Sequence, residues 1–367
     1  MPSVVIVGAG IGGLSAAIGL HRAGWRVRVL ERAEEFAPVG AGITLWPNAL
    51  RALRALGVEL DADGAGVGGV RTRSGRWLAR WRWSELERLA GGPLTAVSRA
   101  RLHGALLDAL FDAVPAGAIR LGTTVTEVPE ADLVVAADGI DSALRARLFP
   151  ELPAPVANGT TTWRGIAPVP RSGVPGWSNS WAGAREFGIV PLGRERVYWF
   201  AAMPAPPGET HDDERAFVAE HFGDWHEPIP ELIATTETVL HLDIRHLATL
   251  PASYVAGRVA LLGDAAHAMP PNLGQGGGMA IEDALTLAAA LADTGDDVPA
   301  ALARYDRERR PRTAAVAGEA ARLSRLMSIG HPAVTAVRDT ATRLLPASLM
   351  LRSIARWSRW PAPSLPG

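Results

Sequence analysis

The chain has 367 residues, 48% of them apolar and 20% charged, with a formal charge of -1. That length exceeds what one hydrophobic core usually serves, the composition is that of a globular protein, and the near-zero charge gives nucleic acid no electrostatic hold. Cysteine is absent, which excludes disulfides and thiolate chemistry; lysine is absent too, all 37 basic residues being arginine, which excludes a catalytic lysine.

The opening MPSVVIVGAGIGG lacks the basic stretch and cleavage site of a signal peptide. No uncharged apolar run approaches the roughly 18 residues of a membrane span. The expectation is a cytoplasmic enzyme without a membrane span.

Along the chain, Val4–Val7 reads as a short buried strand, followed by a glycine turn, a helix closed near Gly24, and a second strand, VRVLE. In residues 46–56, Leu50, Leu53 and Leu56 fall at helical spacing. Ser98 suits an N-cap for a helix carrying Leu102, Leu106 and Leu110 on one face, with Pro115 beyond it. Residues 132–137 form another buried strand, ending in Asp138-Gly139. From 156 to 252 the pattern alternates between Pro- and Gly-rich turns, as in an antiparallel sheet, broken by a helix near 212–222. RVALLGD (258–264) returns to the buried-strand pattern, followed by a glycine-rich loop, a helix over 277–292 and a helical remainder from about 299.

Gly8, Gly10 and Gly13 spell G-x-G-x-x-G between a strand and a helix. The first permits a sharp turn, the second lets a pyrophosphate approach the backbone, and the third lets helix and strand pack closely. The helix N-terminus offers unpaired N–H groups to phosphate. Glu31 closes the second strand 23 residues after Gly8, where a carboxylate accepts hydrogen bonds from ribose hydroxyls. This fingerprint does not separate NAD from FAD. Two later segments do: DLVVAADGIDSALR (132–145), and RVALLGDAAHAMPPNLGQGGGMAIEDALTLAAAL (258–291).

With GxGxxG, DG and GD in that order over nearly its whole length, the chain resembles the flavoprotein aromatic hydroxylases, single-component FAD-dependent monooxygenases of the p-hydroxybenzoate and salicylate hydroxylase type. The resemblance implies an α/β fold: a Rossmann-like FAD domain (1–72, 97–155 and 253–298) interlocked with an antiparallel-sheet substrate domain (73–96 and 156–252), plus a C-terminal helical region (299–367). It implies FAD as cofactor, NADH or NADPH as transient co-substrate, and transfer of oxygen from O2, through a flavin hydroperoxide, to an electron-rich aromatic small molecule.

By position, the resemblance places Glu31 at the adenosine ribose with Arg32 near the adenine. Arg99 falls at the pyrophosphate or ribityl region, Asp138 and Gly139 near the pyrophosphate with Arg145 assisting, and Gly263-Asp264 at the ribityl chain. Gly274, Gln275, Gly276 and Gly277 run along the pyrimidine edge of the flavin, and residues 40–48 flank the ring from another side. Backbone N–H groups at the start of helix 277–292 face a reduced flavin that is anionic at N1.

Catalytic or substrate contacts are expected from Tyr198, Arg185 and His267, with Trp163-Arg164 at the start of the same sheet segment. Each has a plain structural alternative: a packed sheet residue, a surface charge, a packed loop histidine. Asn272 stands where urate-specific members carry an acidic residue, which weakens a urate assignment. A flavin halogenase is excluded by the missing lysine and by Trp81-Arg82-Trp83 lacking a following Ile-Pro. A flavin dehydrogenase or oxidase without oxygen insertion, and a non-catalytic flavin-binding protein, remain as alternatives. The stretch around Trp357 and Trp360 reads as a helix docked on the body in preference to a membrane-surface helix.

Overall fold

Val4, Val5, Ile6 and Val7 are apolar on both faces of their strand, the signature of a strand covered from two sides. In the computed structural model, which describes residues 1–36, 41–61, 67–115, 117–174, 176–294 and 297–365, Ser3–Val7 lies inside a six-stranded sheet. The order is Val255–Ala256, Val259–Leu261, Leu133–Ala136, Ser3–Val7, Arg26–Leu30, Ile119–Arg120. All neighbours are parallel except the hairpin at the first edge. The helix Ile11–Arg22 packs against the helix Gly276–Thr294 so closely that a methyl group on Gly19 would sit 2.9 Å from the Ala288 Cβ.

The second sheet has seven strands, in the order Leu240–His246, Val156–Pro168, Arg196–Pro204, Arg185–Leu192, Ser178–Ala182, Val67–Thr72, Trp77–Arg82. It is antiparallel except where Ser178–Ala182 runs parallel to Val67–Thr72. The strand Val67–Thr72, grouped above with the nucleotide-binding segment, pairs here. Gly68 and Gly69 supply the flat surface on which the rings of Trp81 and Trp77 lie. The turn after Leu192 falls at residues 193–195, and Pro191 pairs with Val197 inside the strands.

One face of this sheet, with Trp163, Phe187, Ile189, Val197 and Trp199, is buried under the helices Glu214–Phe222 and Ile229–Ala234. The other carries Val190, Tyr198, Phe200 and Ile166, and meets Ala41 and Ala96 from the nucleotide-binding half. A small ribbon, Gly42–Leu45 paired with Thr95–Ser98, sits at this junction. Ser98 caps the next helix, Arg99–Phe111, its Oγ accepting the Arg101 N–H at 3.1 Å.

Three helices follow Gly276–Thr294 along the chain, Val298–Met327, Pro332–Leu344 and Ala347–Ala355. The tail beyond them docks on the body. Ser358 Oγ donates to the Ala90 carbonyl at 3.2 Å, and Arg51 Nη2 donates to the Trp360 carbonyl at 2.9 Å.

Candidate active site

The first turn closes as the glycines dictate. Gly8 stands at φ +103°, and a Cβ on Gly8 or Gly13 would overlap the Ala137 or Gly8 carbonyl. A Cβ on Gly10 would meet no protein atom within 4 Å, so this glycine borders open space at the mouth of the helix Ile11–Arg22. Glu31 Oε2 accepts the Ala9 N–H at 2.6 Å and Oε1 accepts the Ala33 N–H at 2.9 Å, which orients the carboxylate and leaves lone pairs for a ribose. Arg32 is exposed beside it. His103 also belongs here, its Nε2 2.8 Å from the Ala9 carbonyl, and no sequence signal marked it.

At the second turn, Gly139 (φ +82°) again borders open space. Asp138 Oδ2 accepts the Leu144 N–H at 3.4 Å, while its Oδ1 is buried with no partner among the described residues, an acceptor waiting for a donor. Arg145 departs from expectation. It is buried, donating to the Ile140 carbonyl at 2.6 Å and the Ala265 carbonyl at 3.2 Å, so it braces the DG turn against the GD loop and is not turned to a phosphate.

Gly263 (φ +63°) turns the chain into the short helix Asp264–His267, leaving the Asp264 carboxylate solvent-reached. Arg99 lies near it. Burial pushes the Arg99 guanidinium below its ordinary value, Asp264 opposes that shift, and Arg164 adds to it. Asp264, Arg99 and Arg164 thus form one polar cluster at the junction of the two halves. Arg164 Nε is buried without a partner among the described residues.

Gly274 (φ +61°) ends a short turn, and Gly276–Thr294 begins with three glycines whose N–H groups lie ahead of the first helical bond, Met279 N–H to the Gln275 carbonyl. Gly277 packs on Ile43, where a Cβ would sit 2.7 Å from Cδ1, so this loop and the 41–48 segment flank the same space. Gly40, at the head of that segment, lies outside the described residues.

Behind these loops is a polar network not read from the sequence. Asp283 Oδ2 accepts the Gly263 N–H at 3.0 Å and faces His267 Nε2 at 2.5 Å, and its Oδ1 accepts Arg309 Nε at 2.6 Å. Glu282 takes Arg309 Nη1 at 2.6 Å and Arg312 Nε at 2.7 Å. His267, Glu282 and Asp283 are 0% exposed, which places His267 behind the loop as a packed partner of Asp283 instead of an acid–base group facing the flavin space.

On the junction face of the second sheet, Val190, Tyr198 and Ile166 form one row by register, with Trp177 packed against it, and Asn179, Gly188, Phe200 and Arg164 form the next. Tyr254 and Tyr305 bond Thr313 Oγ1 and the Leu261 carbonyl, whereas the Tyr198 hydroxyl has no partner among the described residues. Burial raises the Tyr198 pKa, against Arg164 and Arg99, so the phenol stays protonated.

Arg185 is not brought to this row. It stands five residues from Val190 along its strand, roughly 17 Å away by strand rise, and on the opposite face, with Nη1 near the His221 carbonyl. Its neighbour Glu186 takes the junction face instead. Glu186 Oε1 accepts Asn179 Nδ2 at 2.6 Å and Trp181 Nε1 at 3.3 Å, and burial raises its pKa. Trp163 likewise faces the helices, its Nε1 donating to Glu214 at 2.6 Å.

The family model described as FAD binding domain matches residues 1–109 and 111–320. The aurachin C monooxygenase/isomerase of Stigmatella aurantiaca is 38% identical over 323 residues, covering 83% of this chain and 84% of the relative. The chain belongs to the FAD-dependent aromatic hydroxylases. The 2-heptyl-3-hydroxy-4(1H)-quinolone synthase of Pseudomonas aeruginosa is 33% identical, covering 94% of each chain. The crystal structure of Klebsiella pneumoniae HpxO with FAD and uric acid superposes with a TM-score of 0.89 at 27% identity, covering 97% of this chain and 96% of that one. The hydroxylase is therefore an FAD-dependent monooxygenase acting on an aromatic substrate, with the α/β fold and C-terminal helices of that group. The open-faced glycines and the unpartnered Asp138 oxygen fit FAD.

Proposed function

We propose that this hydroxylase oxygenates a neutral, electron-rich fused nitrogen heterocycle, with NADH or NADPH and O2 as co-substrates. The observation that carries the reading is the junction-face row, where the unpartnered, protonated Tyr198 hydroxyl sits among Trp177, Val190 and Ile166 with Arg164 beside it. Bound FAD supplies the oxygen activation once a nicotinamide has reduced it. Gly8, Gly10, Gly13, Glu31, Asp138, Gly139 and Asp264 would hold the nucleotide, and the N–H groups of Gly276 and Gly277 would offer positive potential to the flavin ring.

The Tyr198 hydroxyl donates to a ring carbonyl or enol oxygen and orients the ring, while the Arg164 guanidinium stabilises negative charge gathering on that oxygen. The aromatic wall excludes water. Asn179, one row beyond, and Glu186, two rows beyond, present oxygen acceptors and disfavour a carboxylate-bearing ring. Uric acid and a 4-quinolone, named for the two relatives, are fused nitrogen rings with a carbonyl, in keeping with such a wall. No helix among the described residues is long and apolar enough to cross a membrane. We place the enzyme in the cytoplasm, with small molecules as partners and no nucleic acid.

The test is a ligand series pairing hydroxyquinolones and oxopurines with hydroxybenzoates, read by the perturbation of the flavin's visible absorbance. The heterocycles should bind at least tenfold tighter, and Glu186→Gln should narrow that gap. Preferential binding of the benzoates would sink the substrate class while leaving the monooxygenase assignment untouched.

A further inference from the structure

The Trp357 carbonyl, on the C-terminal turn Arg356–Ser358, accepts Arg312 Nη2 at 2.7 Å, and the same nitrogen donates to Glu282 Oε1 at 2.8 Å. That carboxylate oxygen accepts Asn48 Nδ2 at 2.7 Å, and Asn48 Nδ2 also donates to Gln275 Oε1 at 3.0 Å. Four hydrogen bonds thus run unbroken from the C-terminal tail to the turn that begins the helix Gly276–Thr294. Glu282 and Asn48 are fully buried.

We propose that Arg312, Glu282 and Asn48 are positioning residues through which the C-terminal tail fixes the Gln275–Gly278 turn and so the grip on FAD. This rests on the placement of that turn at the flavin. The nitrogen side of the Asn48 amide is fixed, while its Oδ1 is buried with no partner among the described residues. Both hydrogens of the Asn48 amide are committed, one to a carboxylate and one to Gln275. Glu282 Oε2 is held by two guanidinium groups, from Arg309 and Arg312. A buried network loses most when one member is left half-satisfied, so a change at Arg312 is passed on, not absorbed.

The tail is held from a second direction by the helix that carries Asn48. Arg51, on Pro47–Ala55, donates through Nη2 to the Ser358 carbonyl at 2.5 Å and to the Trp360 carbonyl at 2.9 Å. The tail and the flavin-side loop therefore share one helix as well as one carboxylate. A merely structural ion pair predicts loss of stability alone. A positioning relay predicts a specific loss at the flavin.

The experiment titrates apoprotein with FAD by fluorescence quenching, for wild type, Arg312→Gln, Asn48→Ala, their double variant and Gln275→Ala. Thermal unfolding of each apoprotein runs in parallel. The relay predicts that Arg312→Gln and Asn48→Ala each weaken FAD binding about tenfold and shift the bound flavin's visible spectrum. The double variant should be little worse than the poorer single, since the two cut one chain. Wild-type FAD affinity in Arg312→Gln, or two losses that simply multiply, would overturn the proposal. Should Arg312→Gln not unfold cooperatively, Arg312→Lys, which keeps the charge but loses the fork, takes its place under the same criteria. If Gln275→Ala itself binds FAD normally, the placement of the turn fails; if Gln275→Ala is impaired and Arg312→Gln is not, the relay alone fails.

Discussion

Gly42 lies flat against the ring of Tyr198, so close that a methyl group on Gly42 would overlap Cγ and Cδ1 of the ring. The ribbon Gly42–Leu45 and the second sheet therefore meet at a residue with no side chain, and that contact fixes where the phenol points. Gly42→Ala should force the ring aside at a cost of about 1–3 kcal/mol. Urea unfolding should show that loss, and substrate-stimulated NAD(P)H oxidation should fall more than FAD content does.

Asp264 carries the cofactor-side prediction. Its carboxylate stands solvent-reached at the start of the short helix after Gly263, near Arg99. Removing a charged acceptor of this kind costs about 1.5–3 kcal/mol, or roughly ten- to a hundredfold in affinity. Asp264→Ala should purify pale and bind added FAD that much more weakly. A fully yellow variant of unaltered affinity would refute the ribityl assignment.

Tyr198 and Arg185 separate by the face they occupy. Tyr198→Phe removes a hydroxyl facing the junction and should lower kcat/KM about tenfold or more, with FAD affinity unchanged. Arg185→Ala, on the helix side of the sheet near the His221 carbonyl, should leave both within about twofold. Steady-state kinetics of the two variants side by side decide it.

How much of this was legible in the sequence follows from how far apart the cooperating residues lie. Gly8, Gly13 and Gly263 announce themselves because each answers a local demand, a positive φ or a close backbone contact. The choice between Arg185 and Glu186 does not, since a shift of one residue in a strand exchanges the two faces of a sheet. Trp163 and Arg164 divided in the same way. Val67–Thr72 offers no alternation to read, because its two glycines lie under Trp77 and Trp81. The network behind the flavin loops was invisible for another reason: Asn48 and Glu282 are 234 residues apart, and no spacing rule links them.

Acid should expose that network. Burial alone would raise the Asp283 pKa, but His267 and Arg309 override it and pull the carboxyl down to about 2, below an unfolded value near 3.9. A depressed folded pKa contributes stability in full above about pH 4, and that contribution is lost as pH falls towards 2. Urea midpoints measured from pH 5 to pH 2 should fall more steeply for wild type than for Asp283→Asn. Parallel profiles would show that Asp283 does not carry the linkage.

The central claim is that oxygen from O2 enters an aromatic substrate on this protein. The direct measurement is turnover of a flavin-perturbing ligand under 18O2 with NAD(P)H, with product mass and hydrogen peroxide both quantified. One 18O atom per product molecule, matched to NAD(P)H consumed beyond peroxide formed, is the predicted result. Oxidised product carrying no 18O, with peroxide equal to the NAD(P)H consumed plus the product formed, would contradict it and make the chain an oxidase.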